Sequence, residues 1–165
     1  MKKSLDRFLI AQQNYYHDAY EELKVGKKSK TYNMQIDFNV TKIADDAFSD
    51  CTDIEKVTLT NTIRNIPDYA FAGYEKLKSF EIIKSGVIVD NGRIAYGDGV
   101  FKDCTQLETA DVPVWTISIG NGVYENCESL KNISWGARVT KIPDDTFSGC
   151  KNLINFNISV EPISS

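Results

Sequence analysis

Ile43-Ala-Asp-Asp-Ala47-Phe48-Ser-Asp-Cys51-Thr-Asp-Ile54-Glu-Lys-Val57-Thr-Leu59 is a stretch whose spelling recurs along this 165-residue chain. With the aromatic as origin, Phe48, Phe71, Phe101, Tyr124 and Phe147 follow one another at steps of 23, 30, 23 and 23 residues. Three residues after each stands Cys51, Tyr74, Cys104, Cys127 or Cys150, and three further on Ile54, Leu77, Leu107, Leu130 or Leu153. Two more apolar positions close each unit: Val57/Leu59, Phe80/Ile82, Ala110/Val112, Ile133/Trp135 and Phe156/Ile158. A fixed period with a fixed internal spelling marks stacked units, none of which can bury its apolar face alone. The pattern predicts a solenoid, with function on a surface rather than in a buried pocket.

Within a unit, Ile63-Arg-Asn-Ile66 reads as extended chain that tightens after Pro67, with Asp68 placed to cap a short helical turn carrying Ala70 and Phe71 inward. Leu77-Lys-Ser-Phe80-Glu-Ile82 then has the spacing of a leucine-rich repeat and ends in the in-out alternation of a strand. Strands of successive units are expected to lie parallel. The fold class is thus an α/β repeat solenoid, leucine-rich-repeat-like and right-handed, with a parallel sheet. Five units fill residues 40–165, and a seven-residue insertion in the third carries Asp90-Asn91-Gly92, a hairpin signal placing a hairpin near 84–97. Residues 1–39 read as a helical N-terminal cap of the same domain. An apolar stripe of Leu5, Phe8, Leu9, Tyr16, Ala19, Tyr20 and Leu23 runs between an N-cap at Ser4 and a stop at Gly26, followed by a strand around Met34–Phe38.

The net charge of -4 argues against a nucleic-acid partner, which calls for a basic stripe. No apolar run approaches a membrane span, so no membrane insertion is expected. Asp6 and Arg7 break the only apolar start, leaving no signal peptide, so the expected compartment is the cytoplasm, or the cell surface or exterior if an export signal precedes this sequence. Cys51, Cys104, Cys127 and Cys150 share one column and read as packing thiols. Bridges between neighbours are geometrically conceivable at a strand spacing of ~4.8 Å, yet stacked side chains point in parallel and Tyr74 fills the same column.

Catalytic chemistry finds little to build from, and the chain is read as not an enzyme. His17 is the one histidine and falls on the cap helix, leaving no triad and no metal site; the cysteines lack any CxxC pair. Asp45-Asp46 and Asp144-Asp145 occupy one repeat position, where helix capping accounts for them. Asp90, Asn91 and Asp98 lack the ligand spacing of a calcium loop, and Gly97-Asp98-Gly99 lacks the lysine of a phosphate loop. No cofactor is expected. Trp135 falls in a buried column. The candidate binding residues are those between the two inward apolar positions of each strand: Thr58, Glu81, Asp111, Ser134 and Asn157. They form a polar, mildly acidic sheet face for a protein or glycan partner. The alternative is an assembly protein, since the fifth unit shows no closing repeat after Ile158; a homodimer through residues 150–165 would cover that end.

The spelling I-x-x-[AT]-F-x-x-C-x-x-L, as in Ile43 to Ile54 and Ile142-Pro-Asp-Asp-Thr146-Phe147-Ser-Gly-Cys150-Lys-Asn-Leu153, resembles the BspA-type leucine-rich repeat family from Val40 to Ile158. Departures are Tyr74 for cysteine, Val100 and Val123 for the small residue, Ala110 for a larger apolar one, and the insertion. The resemblance implies a solenoid whose relatives are often bacterial surface proteins of adhesion and protein binding. Leu5-Asp-Arg-Phe-Leu-Ile-Ala-Gln12 is faintly similar to the opening helix of a small bacterial family of unknown function, and carries over no chemistry.

Overall fold

The computed structural model describes residues 32–35, 43–45, 47–48, 51–84 and 93–160, the first group as backbone. A six-stranded sheet runs in the order β1 (Tyr32–Gln35), β2 (Ile54–Thr60), β4 (Ser79–Ile83), β6 (Thr109–Val112), β8 (Asn132–Gly136) and β9 (Asn155–Ser159). Every neighbouring pair is parallel, and like repeat positions meet: Val57 with Phe80, Leu59 with Ile82, Ala110 with Ile133, Trp135 with Ile158. Register follows from burial. A one-residue slip would turn Phe80 and Ile82 to solvent and Glu81 into the core.

A second, three-stranded parallel sheet joins β3 (Asn65–Ile66), β5 (Ile94–Tyr96) and β7 (Thr116–Ile119). The extended stretch expected before Pro67 is therefore a paired strand. Ile94–Tyr96, inside the expected hairpin region, belongs to this sheet; the turn Asp90-Asn91-Gly92 lies outside the described residues. The expected cap helix, with His17, also lies outside them. The cap strand is β1, beginning at Tyr32 rather than Met34.

Among the described residues there is no helix, so this part of the chain is a parallel β-solenoid rather than an α/β one. The expected helical turn at Asp68–Phe71 is a chain of tight turns, with Ala70 N–H donating to Pro67 O, Ala72 to Tyr69 and Tyr74 to Phe71. Backbone handedness is the reason. Tyr69, Gly99, Gly122 and Asp145 have φ of 55, 57, 60 and 56°. Gly73, Asp103, Asn126 and Gly149, four residues on, are left-handed as well. A left-handed residue cannot continue a right-handed helix. Instead it turns alternate N–H groups toward the next unit. Tyr69, Phe71 and Gly73 donate to Asp98, Val100 and Lys102 at 2.8, 2.9 and 2.8 Å, and the ladder repeats down the stack.

The core between the sheets is a ladder of rings. Phe48, Phe71, Phe101, Tyr124 and Phe147 stack with centroid separations of 5.2, 5.6, 5.4 and 5.8 Å and interplanar angles of 14° or less. Offset stacks of this spacing add stabilisation beyond burial alone. Phe80 packs edge-on against Phe101 at 4.6 Å, and Trp135 against Phe147 at 5.8 Å.

Candidate functional site

The register places the expected sheet-face residues in one column: Thr58 beside Glu81, Asp111 beside Ser134, and Ser134 beside Asn157. Not all of them face solvent. Thr58 is only 7% exposed, and its hydroxyl donates to Glu81 Oε1 at 3.1 Å. Lys56 Nζ lies 2.8 Å from the same oxygen. That ammonium, with Thr58 adding to it, holds the Glu81 carboxyl below its ordinary value against the opposing effect of partial burial. Ser134 bonds the hydroxyl of Ser159, and Asn155 donates to Asn132 Oδ1 at 2.6 Å. The face is polar, its side chains partly engaged with each other.

The cysteine column is a hydrogen-bonded one. All four side chains are thiols. Cys104, Cys127 and Cys150 each donate Sγ–H to the backbone carbonyl of the preceding unit's aromatic residue, Phe71, Phe101 and Tyr124, at 3.1 Å in each case. Tyr74 donates its hydroxyl to Phe48 O in the same way, which explains how tyrosine replaces cysteine there. Burial pushes the Cys104 thiol up to about 12, Cys150 up to about 11, and Cys127 higher still. Such thiols are poor nucleophiles at neutral pH.

Of the aspartates that spacing suggested as helix caps, Asp68 acts between units: its Oδ1 accepts from the N–H of Asp98 at 2.8 Å, just as Asp98 Oδ1 accepts from that of Asn121 at 2.8 Å. Asp145 is exposed in a left-handed conformation; Asp46 lies outside the described residues. Acidic side chains also pair with lysines of the neighbouring unit: Asp53, Glu55 and Glu128 with Lys76, Lys78 and Lys151 one unit on, and Glu125 with Lys102 one unit back, at 2.5 to 2.9 Å. Among the described residues, no group of three or more His, Cys, Asp or Glu side chains could hold a metal ion, and no helix is long and apolar enough to cross a membrane.

One site was not anticipated. On the turn face, a cleft of about 250 Å³ is lined by Tyr69, Asp98, Gly99, Lys102, Asn121, Gly122, Glu125 and Asp145. Gly99 and Gly122 occupy the left-handed column between Tyr69 and Asp145, so the column is low in the middle and high at its ends. Tyr69 lies against Gly99, where an added Cβ would come within 2.3 Å of Tyr69 Cε1. Lys102 and Glu125 pair at 2.9 Å, a bond that raises the Lys102 ammonium's pKa. The available signal was that Tyr69 is the large residue in a column otherwise read as Gly or Asp.

A family profile for BspA type leucine rich repeat regions matches residues 83–165 in six copies. A leucine rich cell surface protein from Faecalibacterium prausnitzii is similar in structure, with a TM-score of 0.65 and 27% identity over 77% of this chain. This chain spans about a third, 32%, of that one. A leucine rich repeat protein from T. pallidum shares the fold, with a TM-score of 0.56 and 24% identity over 79% of this chain and 71% of that one. No curated protein matches. The stacked F-x-x-C-x-x-L units, their parallel in-register strands and the profile match over half the chain make this protein a member of the BspA type leucine rich repeat family.

Proposed function

We propose that the chain is a non-enzymatic binding module, an adhesion-type scaffold acting at the cell surface or outside the cell. Its contact surface is the sheet face carrying Glu81, Asp111, Ser134 and Asn157, with Thr58 beneath holding Glu81. The observation that supports this most is the in-register column itself, which presents polar side chains at a ~4.8 Å pitch on a rigid parallel sheet. The likeness to a leucine rich cell surface protein supports the location. The partner is a protein. The test is differential capture from source-cell envelope and exterior fractions, using the intact chain and a Glu81→Lys/Asp111→Lys variant whose fold is checked by circular dichroism. A partner held by the first and lost by the second is expected; equal capture by both sinks the sheet-face assignment.

A second reading, self-association through residues about 150–165, has its own observation. The last described unit leaves Ile154, Phe156, Ile158 and Val160 exposed, with Ile154 at 77%. Ile154 stands where the other units carry Glu55, Lys78, Glu108 and Lys131, a charged position. Light scattering at rising concentration should show a dimer that Ile154→Lys/Ile158→Asp dissolves. A monomer throughout removes this reading.

A further inference from the structure

We infer that the turn-face cleft between Tyr69 and Asp145 is a binding site for a neutral saccharide, with a sugar ring seated on the Tyr69 ring. The inference adds a second, separate site to the binding-module reading. The first ground is Tyr69 itself. A bulky side chain at φ 55° is strained, and such strain concentrates at ligand sites. The repeat shows that glycine fills this position without strain, at Gly99 and Gly122. The strained tyrosine contributes little packing in return, for it is 59% exposed. Its ring lies along the glycine backbone of the next unit, and only glycine at position 99 leaves room for it. An exposed aromatic ring at the end of a glycine-floored cleft offers an apolar surface to the C–H face of a sugar ring.

The second ground is the donor and acceptor inventory. Asp98, Glu125 and Asp145 supply carboxylate acceptors, while the Lys102 ammonium and the Asn121 amide supply donors. Among the described residues the Asp145 carboxylate makes no hydrogen bond, so it is available to a ligand. An anion would meet three carboxylates. A cation would find the carboxylates, but it would also meet the Lys102 ammonium and leave the Asn121 amide hydrogens unmatched. Hydroxyls both donate and accept, so a neutral polyhydroxylated ligand suits a mixed lining. The cleft draws on four successive units, a length of three strand spacings at ~4.8 Å each, which fits more than one sugar ring.

The experiment is an amide and aromatic NMR titration of the whole chain with maltose, cellobiose, lactose, mannobiose and chitobiose. Two parallel arms use a tetra-arginine peptide and an oligogalacturonate. Shifts from at least one neutral disaccharide, centred on Tyr69, Gly99, Asn121 and Gly122, are expected. Tyr69→Gly copies the glycine of neighbouring units, so it should melt no lower than the parent while binding about tenfold more weakly. Undiminished binding by Tyr69→Gly overturns the site. So does a response to the cationic or the anionic probe alone, or to none of the sugars. Sugar shifts centred on Glu81 and Asp111 overturn the cleft while leaving the sheet-face reading standing.

Discussion

Phe80 in the second unit and Phe156 in the fifth hold the same repeat position and the same side chain. The first is 3% exposed and the second 39%; their companions Ile82 and Ile158 differ similarly. Nothing in the two spellings foretells this. What differs is the neighbour: β4 lies between β2 and β6, whereas β9 pairs with β8 alone among the described strands. In a stacked fold, burial and therefore stability belong to the junctions between units. The largest effect expected from this comparison is on the ring ladder. Phe71→Ala, which opens a hole between Phe48 and Phe101, should cost ~3–5 kcal/mol, and Phe156→Ala about 1 kcal/mol. Denaturant midpoints measured side by side check it. Similar losses at both positions would mean that the fifth unit is covered as well as the second.

That contrast also separates what was readable in the chain from what was not. The columns of Phe48, Cys51, Ile54, Val57 and Leu59 are readable because strand alternation and unit spacing both recur, so the main sheet's register follows from aligning the copies. The second sheet was not. Strands as short as Asn65–Ile66 show no alternation, and their pairing is decided by units far apart in sequence. The turns misled for a physical reason: Asp-Asp before an apolar pair serves equally as a helix cap or as a left-handed turn. The glycine, aspartate and asparagine residues two positions either side of each ring were the deciding signal. Tyr69 carries no such signal; its left-handed conformation goes with the N–H it donates to Asp98 O in the next unit. Thr58 was expected to be exposed on the sheet face, yet it is buried, with its hydroxyl bonded to Glu81.

A smaller effect is expected in the thiol column. Cys127→Ala removes a buried side chain and its bond to Phe101 O and should cost about 1–2 kcal/mol. Cys150→Ala, at a half-open junction, should cost below about 1 kcal/mol. Thermal melts resolve the difference. Reductant should leave the parent's melting temperature unmoved; a drop would reveal a bridge.

The tyrosines give the comparison a sign. Tyr74 and Tyr124 are both buried, but Tyr74 donates to Phe48 O, whereas the Tyr124 hydroxyl has no partner among the described residues. Removing the satisfied hydroxyl deletes a buried hydrogen bond, although Phe48 O keeps the Cys51 N–H at 2.9 Å; removing an orphan relieves a desolvated group. Tyr74→Phe should destabilise by about 1 kcal/mol and Tyr124→Phe should stabilise by a similar amount. Two losses, in urea titrations, would place a partner at Tyr124.

The smallest effect lies on the sheet face, at Glu81. Glu81's carboxyl sits below its ordinary 4.5 because the charged form is bonded by Lys56 and Thr58. A group with a depressed folded pKa binds fewer protons folded than unfolded across that interval. Its contribution is therefore present above the ordinary value and lost as pH falls through the folded one. The pair is about half exposed, so salt screens it and the effect is slight. Glu81→Gln should melt lower than the parent at neutral pH, and the gap should close as pH falls below 4.5. The same comparison at Asn157→Asp should show no such closing, because its unit lacks the Lys56 counterpart: Asn132 stands at that place in the preceding strand. Melts across the acid range, at low salt, decide it. A gap at Glu81 that is constant with pH would show that Lys56 and Thr58 do not hold its charged form.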